Sequence, residues 1–232
     1  MGKDRRNRKR NLSEGRRRRG RSLTITDEFI DCFGINQLET PEDLVDIAPW
    51  LLDAEFQYAE ITIEKDKIVW EGGEWISGDW YGDDGIWEDG IWYNGIWHGG
   101  EWYNGSWWDG IWHGGTWHKG YWTDGEWLGG DWLNGGWKDG IWSGGTWSDG
   151  YWYNGIWKNG IWEGGRWLDG TWQDGVWADG IWKGGEWRDG TWHRGKWLDG
   201  TWLDGVWLDG EWKKGDWTKG EIEGVESYYP PM

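Results

Sequence analysis

From Trp87 to Trp217 every fifth residue is tryptophan, and from Gly85 to Gly220 every fifth residue is glycine. That period matches neither of the regular backbone periods. A glycine at every fifth position of a helix would cost about 1 kcal/mol each. In a plain strand an odd repeat would throw successive tryptophans to opposite faces. The conflict vanishes if the backbone bends once per unit, because every indole then stays on one side. The period therefore predicts β structure made of pentads, Gly-x-Trp-y-z, with one corner each.

The slot preferences agree. Position x is rich in β-branched residues such as Ile86, Ile91, Thr116 and Val176, and y takes polar residues, Leu or Tyr. Position z is Asp twelve times, Asn five, Gly six and Lys or Arg four. The segment x-Trp-y reads as extended and z-Gly as the corner, where Asp, Asn and Gly tolerate positive φ most cheaply. With 44 glycines and 32 tryptophans against two methionines and three phenylalanines, tryptophan must supply most of the buried apolar surface.

Two architectures satisfy one corner per pentad. In a single-stranded β-solenoid both Gly and Trp point inward. With Gly85 and Gly90 in the small slot and Trp87 and Trp92 in the large one, this resembles the pentapeptide-repeat family, whose four-sided coil closes after twenty residues. The chain departs from that family at x, where the family has Asp or Asn, and in having Trp. The alternative is a short-strand antiparallel meander on Asn-Gly and Asp-Gly hairpin turns; its Trp-x-Asn-Gly fragment is similar to part of the MORN repeat. The solenoid is the expected fold, and it is a mainly β one. A four-sided coil would make a rod of about 32 Å and a meander would reach about 130 Å, at about 4.8 Å per layer. The number of faces stays open: Gly-Gly pairs at z (Gly99, Gly114, Gly129, Gly144) recur at fifteen, which suits a three-sided coil.

The rest of the chain divides around the array. Residues 1–22 form a basic tail expected to be disordered. Residues 23–69 read as a small α+β cap: helices over "LTITDEFIDCFGI" and "TPEDLVDIAPWLLD", the latter capped by Thr40 and interrupted at Pro49, then a hairpin in "AEITIEKDKIVW" about Lys65-Asp66. The array spans 70–224, with Ile222 in a tryptophan slot, and 225–232 form a C-terminal tail. Only Trp50 and Trp108 fall outside the register, and Trp108 is expected to be exposed.

For function, the acids in the array are repeat-locked and alike, whereas catalytic carboxylates need contrasting surroundings. The four histidines, His98, His113, His118 and His193, all occupy y; in a four-sided coil His98 and His118 would stack. Cys32 is the single cysteine and reads as a buried thiol in a reducing compartment. The expectation is a non-enzymatic structural or interaction protein with no cofactor and no metal. No membrane span or signal peptide is legible, which points to a cytoplasmic or virion location.

Charge is polarised: residues 1–22 carry a net of +9 and the remainder −27, within a total of −18. Arg5, Arg6, Arg8, Lys9, Arg10, Arg16, Arg17, Arg18, Arg19 and Arg21 are the candidate nucleic-acid-binding residues, through phosphate contacts; an acidic protein is the other partner they suit. Trp-Gly pentad arrays are similar to those of virion-associated repeat proteins of tailed phages, which implies a role in a particle. Two other readings are an acidic, DNA-mimicking inhibitor of a DNA-handling enzyme, as some pentapeptide-repeat proteins are, and a carbohydrate-binding module.

Overall fold

The computed structural model describes residues 48–64 and 67–223. Both expected helices of the cap lie outside them except for the stretch from Ala48, as do Cys32 and the two termini. The array is a parallel β-solenoid. Each pentad contributes a two-residue strand of x and Trp, and each strand pairs in parallel with the one fifteen residues on: Thr116 with Asp131, Trp117 with Trp132, and so through the array. The coil therefore has three sides. The meander is not formed, and among the described residues the antiparallel pairing is confined to one hairpin, whose second strand carries Trp70 and Trp75 of the first coil.

Ten coils follow one another, from Trp70, Trp75 and Trp80 in coil 1 and Trp87, Trp92 and Trp97 in coil 2 to Trp207, Trp212 and Trp217 in coil 10. The rod formed by these coils is about 43 Å long at about 4.8 Å per layer. Between coils each pentad makes two backbone bonds. The N–H of x donates to the Gly carbonyl of the previous coil and the N–H of y to its Trp carbonyl, as in Tyr151 to Gly135 at 2.9 Å and Tyr153 to Trp137 at 2.8 Å.

The interior is almost entirely indole. From Trp70 to Trp202 every register tryptophan is fully buried. Along each column the rings stack nearly parallel, for example Trp87 on Trp102 at 4.6 Å and 6°, or Trp97 on Trp112 at 5.0 Å and 7°. Around the coil they meet edge to face, as Trp102 and Trp107 do at 6.0 Å and 73°. Both geometries suit the ring quadrupole, each worth about 0.5–1.5 kcal/mol beyond area burial. Three such rings close a layer on themselves; a fourth would open its centre, which a close-packed interior does not tolerate.

The corner residue that takes positive φ is glycine alone. Register glycines run from φ +100° at Gly185 to +138° at Gly220, and no Asp or Asn at z joins them. The preference for Asp at z has another cause. All twelve of these Asp accept the N–H of the following Gly, at 2.6–2.9 Å, Asp89, Asp149 and Asp174 among them. Asn94, Asn134 and Asn159 do the same. Asn104 and Asn154 instead donate to Asp89 and Asp139 one coil back. The z side chain thus satisfies a corner N–H that the ladder cannot reach.

At the N-terminal end, a 3-10 helix (Pro49–Asp53) leads into β1 (Glu55–Glu64), which pairs antiparallel with β2 (Lys67–Ser77). The register joins Glu64 to Lys67, as expected for a hairpin about 65–66. β2 then runs on into coil 1, where Val69 and Trp70 pair with Ile86 and Trp87. The three indole columns are capped by aromatic rings. Phe56 lies on Trp75 at 5.9 Å and edge-on to Trp70, and Trp50 is edge-on to Trp80 at 5.0 Å. At the other end Ile222 pairs beyond Trp207, and Trp217 is partly exposed.

Candidate functional surfaces

With every Trp turned inward, x and y face outward. The fifteen-residue pairing sorts them into three faces, each a ladder with one x,y row per coil. The first face lies over the Trp87 column, the second over the Trp92 column and the third over the Trp97 column.

Charge is unevenly divided among them. Over coils 2 to 10 the first face carries four acids, Glu88, Glu101, Asp131 and Glu163, and no Lys or Arg. The second carries five bases, Lys138, Arg166, Lys183, Lys196 and Lys213, and one acid, Glu211. Glu211 is held by Lys213 and, at 3.8 Å, by Lys196. Those lysines, Lys213 foremost, hold its carboxyl below the usual carboxylate range. The third face is mixed, with Glu126, Glu186 and Asp216 against Lys158 and Arg188.

The second face also collects aromatic side chains. Trp108, Tyr121, Tyr151 and Tyr153 are exposed there, Trp108 at 51 % as expected and Tyr121 at 69 %. Tyr93 stacks loosely on Trp108 at 6.0 Å, and Arg166 lies 5.5 Å above the Tyr151 ring. Gly136, in the x row after Tyr121, makes room for that ring: a Cβ on Gly136 would stand 3.1 Å from Tyr121 Cδ1. This face is a basic, aromatic strip on an otherwise acidic body.

The histidines fall according to the fifteen-residue repeat. His98 stacks on Tyr81 at 4.2 Å and approaches His113 at 5.0 Å on the third face. His118 is on the first face, over Tyr103 at 4.3 Å and bonded to Glu101 at 2.7 Å. The His98–His118 stacking expected of a four-sided coil is therefore not formed, because that pair is twenty residues apart. Among the described residues no group of three His, Cys, Asp or Glu could hold a metal ion. Nor is any helix there long and apolar enough to cross a membrane.

Corner ion pairs cluster near the C-terminal end. Lys214 reaches Asp199 at 2.6 Å and Lys219 reaches Asp204 at 2.5 Å, each from one coil further on. These lysines and then the Gly200 and Gly205 N–H groups hold both carboxyls below the ordinary range. The four Gly-Gly pairs noted in the sequence line one corner of the third face. The ten candidate nucleic-acid-binding residues of the tail, Arg5 to Arg21, lie outside the described residues. What the sequence could not offer was the face assignment, since a residue's neighbours are fixed only once the repeat length is known. Comparison with protein-family models, curated proteins and solved structures finds no match to this chain.

Proposed function

We propose that the chain is a non-catalytic structural and interaction protein. A stiff β-solenoid holds three chemically different faces at fixed spacing, and the Arg-rich segment 1–22 is an arm that contacts nucleic acid or an acidic protein. The observation that carries this reading is the uniform use of the polar groups. All twelve z Asp side chains accept the same kind of Gly N–H, and the two that also meet lysines, Asp199 and Asp204, are both held lower, whereas carboxylate catalysis relies on environments that drive two carboxyls apart. The variation between units sits outside, in x and y. The likeness of the Trp-Gly array to virion-associated repeat proteins of tailed phages supports a particle as its setting.

The arm is tested by deleting residues 1–22 and measuring retention of a random-sequence oligonucleotide on a filter across a salt series. The full chain is expected to bind with affinity that falls steeply with salt, since phosphate contacts release counterions. The truncated chain should keep its circular dichroism and lose that binding. Equal retention by the two chains would contradict the assignment.

A further inference from the structure

We propose that this protein assembles with copies of itself, the first face of one rod docking on the second face of the next with the rods antiparallel. The inference goes beyond the scaffold reading, which stands whether or not it holds.

The two faces match in charge and in register. Laid antiparallel so that coils 2 to 10 of the two rods overlap, coil 2 of one face opposes coil 10 of the other, coil 3 opposes coil 9, and so on. That single alignment sets each of the four first-face acids of coils 2 to 10 against a base of the second: Glu88 against Lys213, Glu101 against Lys196, Asp131 against Arg166, and Glu163 against Lys138. Both ladders share one rise per coil, so matching at one row carries to all of them. Lys138, Arg166 and Lys183 have no carboxylate partner among the described residues, and Glu88, Asp131 and Glu163 have no basic partner there.

The apolar rows match too. Where the first face loses its acids, in coils 8 to 10, it shows Val176, Ala178, Val206 and Leu208, with Thr191 and His193 between them in coil 9. These rows oppose coils 4 to 2 of the second face, where Tyr121, Trp108 and Tyr93 stand. A strip of about 43 Å by about 12 Å gives about 1,000 Å² for the pair, near the lower bound for a specific interface. Rim acids at the corners, Asp109, Asp124 and Asp169 among them, border the second face and repel a polyanion along it. A second copy brings its own complement instead. Each rod offers both halves of a heterologous contact and the antiparallel step does not rotate the assembly closed, so the product is an open ribbon with the third face free.

The test is sedimentation velocity of the full chain at rising concentration, with near-UV circular dichroism to confirm folding. Mass should grow without a plateau, and salt of about 0.5 M should reverse the growth. Reversing the second face (Lys138→Glu, Arg166→Glu, Lys183→Glu and Lys196→Glu) should give a monomer. Reversing the first (Glu88→Lys, Glu101→Lys, Asp131→Lys and Glu163→Lys) should do the same, and mixing the two should restore association.

Two deletions give an independent arm. Removing pentad 146–150 takes away no charged or aromatic face residue, yet it moves every later pentad round by one face and mixes the charges; association should be lost. Removing coil 146–160 keeps the columns and the acid-to-base matching, so association should survive. A monomeric wild type, a reversed variant that associates as the wild type does, or a mixture that stays monomeric overturns the proposal. So does a wild-type monomer whose second face retains an oligonucleotide, which would make that strip a polyanion site.

Discussion

Adjacent glycines in this chain do different jobs. Gly115 has φ +105°, and a Cβ there would collide with the Gly100 carbonyl; Gly114 has ordinary φ and open space around it. Gly115→Ala is expected to cost more than about 2 kcal/mol, from backbone strain of about 1–3 kcal/mol and the collision together. Gly114→Ala should lie within about 0.5 kcal/mol of the wild type in a denaturant titration. Equal effects would contradict the corner geometry. At z, Asp149 accepts the Gly150 N–H at 2.7 Å. Asp149→Ala should therefore cost about 0.5–1.5 kcal/mol, while Asp149→Asn, which mimics the arrangement at Asn134, should be nearly neutral. Near the C-terminal end the depressed pKa values of Asp199 and Asp204 set a pH dependence. A carboxyl with a lowered folded value contributes stability above its unfolded pKa, and that contribution is lost as pH falls through the folded one. Amide protection over Thr201–Glu223 should thus hold from neutral pH down to about 4 and decline below it. Lys214→Ala should move the Asp199 titration up toward the ordinary range; an unmoved titration would show that the ion pair is not formed in solution.

At the level of the pentad, units are interchangeable for folding because each supplies one inward indole, two ladder N–H groups and one glycine corner. Removing a whole pentad should leave near-UV circular dichroism close to that of the wild type, whereas removing a single residue, such as Ser148, should break the stack at that point. Interchangeability also explains what the sequence revealed. Period five with Gly and Trp locked in phase was enough to derive the bend, the common side of the indoles and the parallel coil. It did not fix three sides, since nothing within a unit reports how many units close a coil; the spacing of Gly99, Gly114, Gly129 and Gly144 was the one visible trace. The reading of z as a positive-φ position failed because Asp and Asn have two uses at corners, and here the side chain's acceptor oxygen decided the matter. The helices expected over 23–53 fall largely outside the described residues, but Pro49 starts a 3-10 helix. The charged faces were invisible in one dimension because Glu88 and Glu101, or Lys183 and Lys196, become neighbours only when fifteen residues make a coil.

For the coiled array as a whole, stability rests on three columns of stacked indoles whose units contact only their neighbours, the condition for nearest-neighbour energetics. Trp137→Ala in the middle should cost about 3–5 kcal/mol and lower cooperativity by dividing the stack. Most indole N–H groups are buried with no partner, though Trp172 and Trp192 reach the Asp189 and Asp209 carbonyls at 3.2 and 3.0 Å. That sequestration is itself observable. The most direct measurement is hydrogen exchange of the indole N–H groups, followed by NMR on the monomer after transfer to deuterated water. The three-column interior predicts that the Trp108 signal disappears at once and that the signals of Trp87 to Trp202 persist, limited by opening of the coils. Rapid loss of most of those signals from a folded monomer would contradict a sealed indole core.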